Sequence, residues 1–166
     1  MAQFGAYGAV GVSTRFEGSG SQVSSLMTTR ILLVDDFKQW RLAVRSILES
    51  APGFRIVGEA GDGVEAVKKV ITLIPDIVLL DVGMPLLNGI EAAKIIRQTC
   101  PKSKVIFLSQ DEDEDVRSAA LATGAIAYLL KSRDTCHLQS TIKKTLLQRT
   151  SGLTAELAPS GDPTPL

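Results

Sequence analysis

The chain has 166 residues, enough for one domain of ordinary size built around a single hydrophobic core. Its 18 Lys and Arg balance its 18 Asp and Glu, so it lacks the basic excess expected of a DNA-binding protein. Two cysteines and one histidine are too few for a disulfide framework or a closed Cys/His zinc site, which favours a reduced, intracellular protein. No apolar run approaches the roughly 18 residues of a membrane span, and no signal peptide is evident. We therefore expect a cytoplasmic protein that binds neither DNA nor membranes directly.

The two ends of the chain differ in composition from its middle. Residues 1–26 are rich in Gly, Ser and Ala, and residues 151–166 in Ser, Gly, Pro and Thr. We expect residues 1–28 and 151–166 to be disordered and residues 29–150 to form one domain. Met27 stands just before a strongly apolar run, which raises the hypothesis that translation starts there. An intact mass of the native protein that includes residues 1–26 would contradict that hypothesis.

Between the two ends, short apolar runs alternate with longer segments of helical period, a pattern typical of βα repeats around a parallel sheet. The five predicted strands cover residues 31–34, 55–57, 77–80, 105–108 and 125–130. The first, third and fourth of these are apolar throughout, as expected of strands covered by helices on both faces. The pattern predicts an α/β fold.

The predicted helices carry apolar stripes that would pack on this sheet. The stripes are Trp40, Val44, Ile47 and Leu48, then Val67, Val70, Ile71 and Ile74, then Leu138, Ile142 and Leu146. We expect Trp40 to be a core residue rather than a residue that contacts a partner. Five consecutive acids, residues 111–115, are expected in the first turn of the fourth helix, where negative charge favours the helix dipole.

Polar side chains follow four of the predicted strands. They are Asp35 and Asp36 after the first strand, Asp81 after the third, Ser109 after the fourth and Lys131 after the fifth. Taken alone, the two adjacent aspartates would also fit a helix cap. Because right-handed βα connections bring the carboxyl ends of parallel strands to one edge of the sheet, we expect all five side chains to converge into a site.

Three carboxylates at one edge repel one another, and a hard divalent cation bound through oxygen atoms is the usual way to stabilise such a cluster. Mg2+ fits best, because it needs only one or two carboxylates and keeps positions for a phosphoryl oxygen. Lys131 would add a positive charge and Ser109 a hydroxyl donor for a phosphoryl group. Since aspartate can itself be a nucleophile, these residues could form an acyl phosphate.

The segments that carry this pattern lie at 31–36 and at 81–89 (DVGMPLLNG), followed by Ser109 and by 128–131 (YLLK). In this order and spacing they resemble the receiver domain of two-component response regulators, most closely the NarL type. The resemblance implies a CheY-like, flavodoxin-like fold, a doubly wound five-stranded parallel sheet in the order 2-1-3-4-5.

The resemblance also implies roles for individual residues. Asp81 would accept a phosphoryl group from a sensor histidine kinase or a phosphotransfer protein. Asp36 would bind Mg2+ directly, Asp35 mainly through water, and Asp81 and the backbone carbonyl of Gly83 would complete the metal site.

After phosphorylation, the resemblance implies that Ser109 moves toward the phosphoryl group and that Tyr128 changes rotamer, which switches the surface offered to an unknown output protein. Asp81, Lys131 and Ser109 would catalyse the domain's own phosphorylation and dephosphorylation by positioning and charge neutralisation. Tyr128 alone would otherwise be an ordinary strand aromatic.

Two other functions stay open on the sequence. The first is a degenerate receiver that serves only as a protein-binding scaffold, although the complete set of acids and lysine argues against it. The second is a Mg2+-dependent phosphohydrolase, although Gly83 stands two residues after Asp81, where a second acid would serve a leaving group. Receivers of the NarL type usually precede a DNA-binding domain of about 60 residues, and none follows Thr150, so the output also stays open.

Overall fold

The computed structural model describes residues 28–147, and the predictions made for residues 1–27 and 151–166 lie outside that range. The elements are β1 (Thr29–Val34), α1 (Lys38–Glu49), β2 (Phe54–Ala60), α2 (Gly63–Leu73), β3 (Ile77–Leu80), α3 (Gly89–Thr99), β4 (Lys104–Ser109), α4 (Glu114–Ala122), β5 (Ala127–Leu130), a 3-10 turn (Thr135–His137) and α5 (Leu138–Leu147). Across residues 28–147, every helix is too short or too polar to cross a membrane.

The five strands form one parallel sheet in the order β2-β1-β3-β4-β5, which confirms the predicted doubly wound, flavodoxin-like fold. Neighbouring strands end close to one another, although β4 runs two residues past the pairing of Leu80 with Phe107. Val34 of β1 pairs with Leu80 of β3, and Ser109 of β4 pairs with Leu130 of β5. The residues that follow the inner strands therefore emerge together at one edge of the sheet.

Helices cover the sheet on both faces. Leu32 and Val34 of β1 pack with buried residues of α2, α3 and α4, whereas Ile31 and Leu33 pack with buried residues of α1 and α5. This alternation explains why β1 and β3 are apolar at consecutive positions, because neither face meets water. Each buried Leu or Ile contributes roughly 1.5–3 kcal/mol relative to an exposed one. Polar groups are therefore confined to the ends of these strands.

The predicted stripe of α2 was wrong at two positions. Ile71 and Ile74 are 52% and 57% exposed, while Gly63, Ala66 and Val70 form the buried face. The helix packs on its smallest residues, which let it approach α3 and the sheet closely and turn Ile71 outward. Ile74 follows the last helical residue, with a left-handed backbone (φ 46°). By contrast, Val44, Leu48, Leu138 and Ile142 are buried as predicted.

The acid run at 111–115 is also placed differently from the prediction, because α4 begins only at Glu114. Asp113 is the N-cap, and its carboxylate accepts a hydrogen bond of 2.8 Å from the backbone N–H of Asp115. Asp111 lies in the preceding loop, where its carboxylate accepts from the N–H of Asp113 at 2.9 Å. Only the last two acids of the run therefore lie in the first helical turn.

Gly89 lets α3 begin directly against the end of β3. Its N–H donates to the carbonyl of Val82 at 3.0 Å, and a Cβ at this position would overlap the backbone carbonyl of Asp81. Because a backbone carbonyl cannot turn aside as a flexible side chain can, only glycine fits here without moving Asp81. The start of α3 thus fixes the position of a predicted site residue.

We expect Gly89→Ala to lower the free energy of unfolding by about 1–3 kcal/mol, because the added methyl group must push the Asp81 backbone away. Urea denaturation measures this change. Gly61→Ala is the matched control, since no described atom lies within 4 Å of its Cβ position. Equal stability of the two variants would contradict the close approach at Gly89.

Candidate functional site

The carboxyl edge of the sheet forms a cleft of about 280 Å³. Residues from four strand ends line it: Asp35, Asp36, Phe37, Asp81, Val82, Gly83, Ser109, Gln110, Asp111 and Lys131. All five polar residues predicted from the strand ends therefore converge, although they are far apart in the sequence. Gly83, exposed at the rim, joins them.

Three carboxylates meet at the floor of the cleft. Asp35 and Asp81 are 5% and 7% exposed, and Asp36 is open to solvent. One carboxylate oxygen from each lies within 4.8 Å of the other two. These are hard oxygen donors at a spacing that one ion can bridge, so the donor set fits a cation such as Mg2+.

Lys131 lies among these acids with its side chain only 6% exposed. Its Nζ is 2.5 Å from Asp35 Oδ2 and 3.2 Å from Asp81 Oδ1. Among the described residues that line the cleft, Lys131 is the one cation, so three carboxylates face one ammonium. The triad and Lys131 together therefore carry a formal negative excess of two charges, and Asp111, which also lines the cleft, adds a third.

Burial raises the pKa of the Asp81 carboxyl, because the charged form loses hydration. The neighbouring charge of Asp35 raises it further, while Lys131 opposes both effects. A carboxylate that is poorly solvated and next to another carboxylate is stabilised by any positive charge that reduces the repulsion. Such perturbed groups in a cleft are typical of functional sites.

Asp35 shapes the β1–α1 loop, so the helix-cap interpretation was wrong. Its Oδ1 accepts from the N–H of Phe37 at 2.9 Å, and α1 begins after Phe37 without a capping bond from any described side chain. Arg41 holds the loop from the other side, because its Nη1 donates to the Asp35 carbonyl at 2.5 Å and its Nε to Glu59 Oε2 at 3.0 Å. The sequence analysis missed Arg41, which lies off the apolar stripe of α1.

Ser109 and Tyr128, the predicted switch residues, occupy different positions. Ser109 lines the cleft, where its Oγ accepts from the N–H of Asp111 at 3.2 Å. Tyr128 lies behind the cleft, 6% exposed, with its ring centroid 6.1 Å from that of Phe107. Its hydroxyl donates to the Asp111 carbonyl at 2.8 Å, and burial raises the pKa of its phenol. The backbone of Asp111, predicted to be helical, therefore bonds to both side chains, and the Ser109 hydroxyl is also close enough to Tyr128 to oppose the rise in the pKa of its phenol.

The domain has a doubly wound α/β fold, an acidic cleft at the carboxyl edge of its sheet and a buried lysine across from the acids. Proteins of this class have a cleft suited to a cation and an anionic group together. Residues 31–143 match the family model described as the response regulator receiver domain. The chain belongs to this family, the receivers of two-component systems.

Known proteins agree with this assignment. The transcriptional regulatory protein DegU of Brevibacillus brevis is 39% identical over 114 residues, which cover 69% of this chain and 48% of that protein. The signal receiver domain of the response regulator NarL from Mycobacterium tuberculosis has a TM-score of 0.67 and 27% identity, with 70% of this chain and 94% of that domain covered. This match confirms the predicted similarity to NarL-type receivers.

A third match is a chain of the CheX–CheY complex with BeF3− and Mg2+ from Borrelia burgdorferi. It has a TM-score of 0.61 and 29% identity, with 77% of this chain and 90% of that chain covered. The chain spans about half or less of the length of the curated relatives that it matches.

We expect Asp81→Asn to raise the free energy of unfolding at pH 7 in metal-free buffer by on the order of 1 kcal/mol, because Lys131 only partly offsets the cost of burying this charge. The folded-state pKa of Asp81 is raised, so the wild-type protein loses stability as the pH rises through that pKa. The advantage of the variant should therefore be full at neutral pH and should disappear below about pH 3, where the carboxyl is protonated in both states.

Urea denaturation at a series of pH values in EDTA measures this difference. Asp36→Asn is the control, because its carboxylate is exposed and should give a smaller change. A variant that is less stable than the wild type at pH 7 would contradict the prediction.

Proposed function

We propose that this chain is a phosphoacceptor receiver, in which Asp81 takes a phosphoryl group from a histidine kinase or a phosphotransfer protein. The observation that carries the proposal is the buried Asp81 carboxylate at the floor of an open cleft, with Lys131 at 3.2 Å and two further aspartates beside it. Membership of the receiver family supports the same assignment.

The chemistry follows from these groups. An Asp81 carboxylate oxygen attacks the phosphorus atom of the donor and forms a new O–P bond. The P–N bond of a phosphohistidine, or the P–O bond of acetyl phosphate, breaks, and its electron pair leaves with the imidazole or the acetate. The protein contributes positioning and electrostatic stabilisation rather than a proton-transfer relay.

Two donors in the cleft suit the transferred phosphoryl oxygens. The Lys131 ammonium already contacts Asp81 Oδ1, so it lies where charge develops. The Ser109 hydroxyl oxygen accepts a hydrogen bond from Asp111, which leaves its proton to donate. Both interactions are charge-assisted and are therefore stronger than neutral hydrogen bonds.

We assign the metal site to Asp35, Asp36, Asp81 and the backbone carbonyl of Gly83. Bound Mg2+ would offset the repulsion among the carboxylates and polarise the phosphoryl oxygens. The acidic triad supports this assignment, as does the similarity to a chain solved in a complex with BeF3− and Mg2+.

The switch would use the backbone of Asp111. When Ser109 turns toward the phosphoryl group, it gives up the hydrogen bond from the N–H of Asp111. The loop then shifts, and the hydrogen bond from the Tyr128 hydroxyl to the carbonyl of the same residue changes with it. This path couples the cleft to the surface around α4 and β5, where an output protein would bind.

The proposal extends to the surroundings of the domain. Residues 29–150 would form the receiver domain. The donor would be the kinase or phosphotransfer partner of a two-component system, and the domain would meet it in the cytoplasm.

Incubation of the full chain with acetyl phosphate and Mg2+ should add about 80 Da, and mild base or hydroxylamine should remove the adduct because it is an acyl phosphate. Asp81→Asn should abolish the adduct, and EDTA should suppress it. Intact-mass spectrometry measures both effects.

Asp115→Asn is the control for this experiment, since Asp115 is an exposed carboxylate of α4 away from the triad, and it should retain the adduct. An adduct that persists in Asp81→Asn would refute the acceptor. A wild-type protein without any adduct would favour the scaffold function, and turnover of p-nitrophenyl phosphate would favour a phosphohydrolase.

Gln110 follows Ser109 and lines the cleft, where receivers usually carry a small residue. We expect its side chain to obstruct water at the phosphoryl group, so Gln110→Ala should shorten the lifetime of the adduct several-fold. The decay of the 80 Da adduct after removal of acetyl phosphate measures the lifetime. Slower decay in the variant than in the wild type would contradict this prediction.

A further inference from the structure

A tryptophan ring lies under the lysine of the site. Lys131 Nζ stands over the ring of Trp40 at 5.4 Å from its centroid, within the range of a cation–π interaction. Trp40 lies in the first turn of α1 and packs against the buried cluster on the α1 and α5 face of the sheet. The prediction of a core residue is therefore incomplete, because the upper part of the ring faces the site.

The indole of Trp40 is not explained by packing alone. Its Nε1 is buried and has no hydrogen-bond partner among residues 28–147. A buried N–H without a partner costs free energy, which a leucine or a phenylalanine at this position would not incur. The gain that an indole offers over those residues is its ring face, which binds a cation better than the ring of any other aromatic side chain.

The cation–π contact can restrain the Lys131 ammonium, which has a second position within its reach. A second cleft of about 360 Å³ opens beside it, lined by Trp40, Gln110, Glu112, Lys131 and Ser132. Lysine has a flexible four-carbon stem, and cations or phosphoryl groups that bind the carboxylates compete with its present contacts to Asp35 and Asp81. An ammonium displaced from these contacts could swing into the second cleft toward the Glu112 carboxylate, which also pairs with Arg133 at 2.7 Å. The ring face of Trp40 opposes this movement.

We propose that Trp40 is a positioning residue, whose ring face holds the Lys131 ammonium at the acceptor carboxylate and so sets the rate of Asp81 phosphorylation. The inference rests on the proposed function and adds to it a residue that touches neither the phosphoryl donor nor the acceptor.

The test uses the fact that Trp40 is the single tryptophan of the chain. Biosynthetic replacement by mono-, di- and trifluorotryptophan weakens the negative charge of the ring face stepwise, with little change in size. Since Nε1 has no described hydrogen-bond partner, the altered acidity of the N–H has little to act on. We expect the rate of adduct formation with acetyl phosphate and Mg2+ to fall at each step, by about 2- to 10-fold across the series.

Two substitutions complete the experiment. Trp40→Leu should slow adduct formation at least as much as trifluorination does, and Trp40→Phe, which keeps a smaller aromatic face, should restore part of the rate. Lys143→Gln is the matched control, because Lys143 stands over the ring of Phe54 at the same distance of 5.4 Å, and its rate should be unchanged.

Thermal melts of the fluorinated proteins test whether they are folded, so the series can be interpreted even if Trp40→Leu does not fold. Equal rates across the fluorinated series, with the adduct still formed, would overturn the positioning role. Absence of the adduct from the unsubstituted protein would instead overturn the proposed function, so the two failures can be distinguished.

Discussion

The ion pairs that Lys131 makes with Asp35 and Asp81 connect three separate strands at the floor of the cleft. Its backbone N–H also donates to the carbonyl of Ser109 at 2.8 Å, so the end of β5 is bound to the ends of β1, β3 and β4. Taking these charges out of water costs several kcal/mol per ion, and one ammonium cannot offset two buried carboxylates and a third nearby. The site is therefore held together by attraction and kept under electrostatic strain by the excess acid. The excess negative charge favours the binding of cations. The pKa of Asp81 is raised by burial and by the neighbouring charge of Asp35, because both destabilise the charged form.

The packing of the domain requires these charges to lie at the strand ends. β3 has only four residues, all of them buried, so the first polar position after Ile77 is Asp81. The close approach of Gly89 fixes the backbone of Asp81, and the hydrogen bond from Arg41 fixes the carbonyl of Asp35. The Asp81 carboxyl group is thus positioned by a helix start, and its neighbour Asp35 by the partly buried guanidinium of Arg41. A group of side chains fixed by backbone contacts on rigid elements loses little free energy to reordering when a ligand binds.

The sequence was sufficient for a parallel α/β sheet and for the five converging polar residues, because continuous apolar strands and polar residues after four of the strands are local signals. The strand order was implied by the resemblance to receiver domains and not by these signals. It was insufficient where the outcome depends on contacts between distant segments. Ile71 has the right period for the core, yet α2 packs on Gly63, Ala66 and Val70 because small residues allow a closer approach. Asp111 belongs to an acid run that reads as a helix start, but its backbone bonds to Ser109 and Tyr128. The stripe that includes Trp40 predicts burial of its ring and carries no information about Lys131 above it.

The connection through Asp111 has a consequence for how the site could communicate with the surface. The Asp111 N–H bonds to Ser109 and its carbonyl bonds to Tyr128. The connection between these two side chains therefore runs through the Asp111 backbone and does not need the Asp111 side chain. Its carboxylate has a separate task, since it accepts from the N–H of Asp113 and shapes the loop before α4. A movement that is transmitted through a backbone peptide group does not depend on the side chain of that residue, provided that the loop keeps its shape. The surface loop can therefore change in composition without loss of the backbone hydrogen bonds that join Asp111 to Ser109 and Tyr128.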